Sequence, residues 1–171
     1  MVRFSTQEGT SPLHSVRAQG VRVCNVTKAL SDYFFRAYAL EPENPMINLS
    51  IALSYVQHAV KRQADNRHHH IMQGFAFLSR YYDIRCASGD VCGEQEAEYN
   101  VARTYHLLGL THSAITYYKR CLDLSDVAQG GHMPNDTDDF SREAAAALQG
   151  LWATAGDHEK ARQLTRTWLI I

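Results

Sequence analysis

The stretch AEYNVARTYHLLGLTHSAITYYKRCLDLSD, residues 97–126, decides how the whole chain is read. It holds no proline and no run of like charge, and its apolar residues recur at helical spacing on either side of Gly109. Small side chains fall at Ala102, Ala114 and Cys121, and large ones at Tyr99, Tyr105, Tyr117 and Tyr118. Helix axes approach to roughly 8–10 Å only where small residues meet, while aromatic rings fill the space above and below the crossing. The pattern therefore predicts two antiparallel helices that turn at Gly109 and cross near Ala102 and Ala114. A bulky residue at either alanine is expected to cost about 1–3 kcal/mol by overpacking.

The same register recurs outward in both directions. Upstream, Ile51, Ala52 and Tyr55 reproduce the triplet Val101, Ala102 and Tyr105, and Phe34, Ala37 and Pro42 read as the end of a preceding second helix. Downstream, Leu148, Trp152, Gly156 and Ala161 follow the pattern, with Gln149 where Gly or Ala is usual. Two antiparallel helices in about 34 residues, with small side chains at their crossing, resemble the tetratricopeptide repeat (TPR). That resemblance implies an all-α, helical-hairpin solenoid of about three to four repeats over residues 27–171. Its structural contacts would fall at Ala52, Tyr55, Ala102, Tyr105, Gly109, Ala114, Tyr118, Gly156 and Ala161. One hairpin runs about ten residues longer than a standard unit before its small position, placed near Gly74, so an elongated hairpin is expected there.

Local signals set the remaining boundaries. Residues 1–26 carry Ser, Thr, Gly and Gln without helical period and read as a disordered or non-homologous leader. A helix opens at Pro45, where a missing amide hydrogen is harmless, and runs to about Gln63. The next begins behind Asp65 or Asn66, whose side chain is expected to accept the free amide hydrogens of its first turn, and continues to about Arg85. Loops are expected near residues 86–95 (CASGDVCGEQ) and 127–140, the latter rich in Gly, Asp, Asn and Pro and expected to be mobile. No stretch alternates with period two, so no strands are predicted.

Composition narrows the function. With 45% hydrophobic and 20% charged residues the chain is that of a globular domain, and a formal net charge of −1 argues against a basic surface wrapped on nucleic acid. Any role on DNA is expected to be indirect. No stretch approaches the roughly 18 apolar residues of a membrane span, and the opening lacks the apolar core of a secretory signal, so the expectation is an intracellular protein with reduced cysteines.

Catalytic signals are weak. His68, His69 and His70 look like a metal site, but successive helical residues point about 100° apart and no histidine stands three or four positions away. Cys86 and Cys92 could pair only under oxidation. No phosphate loop, nucleophile elbow or zinc-protease motif occurs, so neither enzyme nor cofactor nor small-molecule substrate is expected.

Three strings carry a more specific resemblance. They are RQADNRHHHIMQGFAFLSRYYDIR, EAEYNVARTYHLLGLTHSAITYYKRCL and REAAAALQGLWATAGDHEKARQL. Arg62-Gln63, Asn66-Arg67-His68, Gln73-Gly74-Phe75, Leu108-Gly109-Leu110 and Arg142-Glu143-Ala144-Ala145 are the distinctive pieces. Over roughly residues 28–171 the chain resembles the C-terminal part of the tetratricopeptide-repeat subunit of transcription factor IIIC (TFIIIC), whose family members are several times longer. The resemblance implies a nuclear scaffold in RNA polymerase III transcription of tRNA genes. Its partners would be other TFIIIC subunits and the initiation factor TFIIIB, with DNA reached only through the complex and no membrane involved. Partner contacts are expected at Arg67 and His68 on the long hairpin, and on the first-helix face of the repeats at Leu49, Leu53, Tyr99, Arg103 and His106. The alternative is a cochaperone-like adaptor that binds a peptide carboxylate through Asn100 and Arg103. Ser50 and Leu53 stand at the matching places of the preceding repeat, so the donor cluster this needs is incomplete.

Overall fold

The computed structural model describes residues 32–61, 65–129 and 139–169, whose regular structure is entirely helical. Helix α1 covers residues 32–40. It is followed by α2 (Pro45–Val60), α3 (Arg67–Ala87), α4 (Val91–Leu107), α5 (Thr111–Gln129), α6 (Ser141–Thr154) and α7 (His158–Leu164), which ends in a π-helical turn over Thr165–Leu169. The expected leader and residues 130–138 of the expected mobile loop lie outside the described residues.

Each helix packs on the next. The hairpins are α2 on α3, α4 on α5 and α6 on α7, and successive hairpins meet through α3 on α4 and α5 on α6. Two of the turns are built alike. Gly109 and Gly156 both hold positive φ (77° and 84°), where a side chain would be strained. In the first, the Leu110 amide donates to Tyr105 O (2.9 Å) and the Gly109 amide to His106 O (3.0 Å). In the second, Asp157 donates to Trp152 O (2.9 Å) and Gly156 to Ala153 O (3.2 Å). Both pairs consume carbonyls that the ending helix leaves without partners.

Small residues are buried between the helices. Ala52, Ala102, Ala114 and Cys121 are fully buried, and Ala102 and Ala114 belong to one core cluster. Gly74 lies where a Cβ would come within 3.0 Å of Val56 and 3.3 Å of the Ala52 carbonyl oxygen, so α2 and α3 touch backbone to backbone there. One core lies among α2, α3 and α4 around Leu49, Leu78, Tyr81 and Val101, and a second among α4, α5, α6 and α7 around Tyr118, Leu148 and Leu164. Tyr105 and Tyr117 pack against both, their rings stacked at 5.3 Å. Each large apolar side chain so buried contributes about 1.5–3 kcal/mol, and the shared aromatic pair makes the hairpins one continuous body.

Four expectations change. The loop expected at 86–95 shrinks to Ser88, Gly89 and Asp90, because Gly89 alone takes the left-handed turn (φ 67°) and Asp90 caps α4 by accepting from the Cys92 and Gly93 amides (3.2 and 3.1 Å). Gly93 is helical and packs against Arg85. The start of the 127–140 segment is also helical, since α5 continues to Gln129. Asn66 precedes α3 but makes no side-chain cap: its own backbone is left-handed (φ 55°), and its carbonyl accepts from the His70 amide instead. Leu49 is in the core, 7% exposed, which removes it from any partner surface.

Candidate functional site

Helix α4 carries most of the expected surface. Tyr99, Arg103 and His106 share one side of it, as their spacing of four and three requires. Arg103 and His106 are exposed, with the Arg103 guanidinium 5.7 Å over the Tyr99 ring. Tyr99 is half-buried, stacked on Phe140 at 5.1 Å, and burial raises its pKa. His106 meets Tyr118 edge-on, its Nδ1 3.4 Å from the hydroxyl, and burial pushes that hydroxyl up to about 12. The three are thus one patch backed by Tyr118. Arg67 and His68 are exposed on the first turn of α3, and no contact joins them to that patch among the described residues. Asn100 donates to the Tyr81 hydroxyl at 2.9 Å, which commits one of its two amide hydrogens to the protein itself.

The histidine run gains a partner that linear spacing hid. His58 on α2 lies 5.8 Å from His70, ring to ring, and His70 also meets Tyr55 (5.9 Å) and His69 (6.0 Å). Burial, then Lys61 and His70, lower the pKa of His58. No group of three or more His, Cys, Asp or Glu side chains is placed to hold a metal ion among the described residues. No disulfide joins Cys86 and Cys92, and Cys121 is a buried thiol that burial pushes up to about 12, far from the reactive thiolate range.

Two buried polar junctions escaped the sequence. Gln95, fully buried, donates from Nε2 to Ser125 Oγ and to Asp139 Oδ1 (2.8 Å), and its Oε1 accepts from the Phe140 amide (3.3 Å). Asp139 also accepts from Ser125 Oγ (2.9 Å), the Ser141 amide (2.9 Å) and Ser141 Oγ (2.7 Å). Burial alone would raise the Asp139 pKa, but the hydrogen bonds from Ser141, Gln95 and Ser125 outweigh it and hold the carboxyl below its usual range. This network ties α4 and α5 to the start of α6.

The second junction lies between α3 and α4. Tyr81 donates to Glu96 Oε1 (3.0 Å), Glu96 pairs through Oε2 with Arg85, and burial raises the Tyr81 pKa. Beside it Tyr82 donates to Glu98 Oε1 at 2.7 Å. Glu98 is 3% exposed, its Oε2 has no partner, and burial raises its pKa despite the Tyr82 hydrogen bond and the nearby Arg120 charge. A signal was present, since Gln95, Glu98 and Ala102 fall on one stripe at spacings of three and four, and polar residues on a buried stripe must find partners.

The packing defines a class: an all-α protein built of successive helical hairpins. Sequence comparison places it more closely. The chain is 42% identical over 146 residues, 81% of its length, to transcription factor tau subunit sfc4 of Schizosaccharomyces pombe. It is 34% identical over 143 residues, 84% of its length, to general transcription factor 3C polypeptide 3 of Homo sapiens. Over 85 residues, half of the chain, it is 41% identical to the transcription factor tau 131 kDa subunit of Saccharomyces cerevisiae. The chain belongs to the family of these transcription factor IIIC subunits. It spans 14% and 15% of the length of the fission yeast and human relatives. No family model matches it.

Proposed function

We propose that the chain acts in the nucleus as a non-enzymatic scaffold segment of TFIIIC, supporting subunit assembly and TFIIIB recruitment in RNA polymerase III transcription. The observation that carries this is the 42% identity maintained over 81% of the chain to a transcription factor tau subunit. The hairpins fit the role: Ala52, Ala102 and Ala114 are buried as tetratricopeptide-type crossings require, and repeated turns at Gly109 and Gly156 set the helix pairs in a regular succession. In this reading Arg103 and His106 contact partners while Tyr99 and Tyr118 hold them in place, and Arg67 and His68 form a second contact on the long hairpin. DNA is reached through the assembled complex, consistent with a net charge of −1.

Native isolation of the tagged chain from cells of its source tests the proposal. Other TFIIIC subunits are expected to co-purify, and pairing Arg67→Ala with His68→Ala is expected to weaken that association while helical circular dichroism stays constant. Isolation of the chain without any TFIIIC subunit would overturn the proposal.

A further inference from the structure

The turn end of the α2–α3 hairpin brings imidazoles from two helices together. His58, in the last turn of α2, faces His70, in the first turn of α3, with ring centroids 5.8 Å apart and planes tilted by 34°. His70 also lies 5.9 Å from the Tyr55 ring and 6.0 Å from the His69 ring. Both His58 and His70 are half-buried, and the Nδ1 of His70 is buried with no hydrogen-bond partner. The other titratable groups of this end are Tyr55, Lys61, Arg67, His68 and His69. Asp65 is the one acid between Glu43 and Asp83, and it is exposed in the turn.

Neutral imidazoles tolerate this arrangement and charged ones do not. A protonated histidine is a donor at both nitrogens whichever tautomer it starts from, so a charged His70 holds an N–H at Nδ1 that has no acceptor. A second charge on His58 then stands against the first. The carbonyl end of α2 favours a cation at His58 by about 0.3–1 kcal/mol. Even so, burial, Lys61 and His70 lower the pKa of His58, and no charge from α1 or α4 acts on it among the described residues. The folded chain therefore takes up this proton less readily than the unfolded chain. Stability at this end is full above the unfolded value of about 6.5, falls as pH drops through it, and levels below the lower folded value.

We propose that the turn end of the α2–α3 hairpin is a proton-sensitive joint, closed while His58 and His70 are neutral and opened when they charge in mild acid. The joint has a pivot. One turn below His70, Gly74 packs on Val56 and on the Ala52 carbonyl, and this backbone contact keeps the rest of the two helices together. Arg67 and His68 stand on the opening side of that contact, so the surface they present changes with pH. The inference rests on this geometry and stands independently of the transcriptional role.

The test is amide hydrogen exchange of the ¹⁵N-labelled 171-residue chain, expressed at each pH as protection relative to the exchange rate of an unstructured peptide. Between about pH 7.5 and about pH 5 the protection of Ala59 and Ile71 is expected to fall about tenfold or more, while that of Val101 and Tyr118 does not fall. His70→Gln, which removes one of the two charges, is expected to abolish most of that fall and to move the NMR titration midpoint of His58 upward. Should His70→Gln misfold, His58→Gln supplies the same exchange readout. Protection at Ala59 and Ile71 that is independent of pH, a fall shared equally by Val101 and Tyr118, or a fall that persists in both variants would each overturn the proposal, as would a His58 midpoint that His70→Gln leaves unmoved.

Discussion

Helix α4 buries two polar side chains, one turn apart on the same stripe, with opposite results. Toward α5 and α6, Asp139 accepts from four donors and Gln95 uses both ends of its amide. Toward α3, Glu98 accepts from Tyr82 alone and leaves its second oxygen unmatched. The physics is the same at both places, since a charge or dipole removed from water must recover its hydrogen bonds from protein. Only the first junction recovers them. Asp139 is consequently held ionised below the usual range, whereas burial drives Glu98 the other way. A saturated network fastens neighbouring hairpins together, and an unsaturated one leaves a buried carboxylate only partly compensated.

Removing the centre of the saturated network breaks the comparison most severely. Gln95→Met fills the same space but strands the Phe140 amide and deprives Ser125 and Asp139 of a partner, so a loss of about 3 kcal/mol is expected in urea denaturation. Asp139→Asn, which keeps the shape but replaces one accepting oxygen by an NH2 that faces donors, is expected to cost about 2 kcal/mol. The pH dependence follows from the depressed pKa. The folded chain releases the Asp139 proton more readily than the unfolded chain does, so its contribution is present above the unfolded value of about 3.9 and disappears as pH falls through the lower folded value. Stability measured against pH is expected to lose that acid-side limb in Asp139→Asn.

On the unsaturated side the effects are smaller. Tyr82→Phe deletes the hydroxyl that Glu98 accepts from and is expected to cost about 1 kcal/mol at neutral pH. The same change made on top of Glu98→Gln is expected to cost less, because a neutral amide needs the hydroxyl less than a carboxylate does. A double-mutant cycle reads that difference directly.

How much of this was written in the sequence depends on how far apart the interacting residues lie. The positive-φ turns at Gly109 and Gly156 were legible because a left-handed turn between helices favours glycine, and the burial of Ala102, Ala114 and Cys121 was legible from their place on the apolar stripes of α4 and α5. The short stop between α3 and α4 was misjudged because Gly89 and Gly93 look alike in sequence, although one forms the turn and the other packs inside a helix against Arg85. Gln95 and Glu98 could be placed on a buried stripe but not matched to partners. Ser125 and Asp139 stand 30 and 44 positions from Gln95, and no local rule reaches that distance. His58 and His70 met for the same reason, through the folding of α2 against α3. Local geometry was readable, then, and long-range polar pairing was not.

The smallest predicted effect is the most discriminating. Glu98→Gln replaces a buried carboxylate that has one donor by a neutral amide of equal shape, which is expected to stabilise the chain by less than about 1 kcal/mol at neutral pH. Its sign depends on pH in a defined way. A carboxyl whose folded pKa is raised carries no penalty below the unfolded value of about 4.3, where both states hold the proton, and acquires one as pH rises through the folded value. The gain of Glu98→Gln over the parent should therefore be absent in acid, grow through the raised pKa and level off above it, because the Glu98 of the parent loses stability with rising pH where Asp139 gains it. Were the variant instead destabilised equally at every pH, the second oxygen of Glu98 would have a donor of its own, and the contrast between the two junctions would disappear.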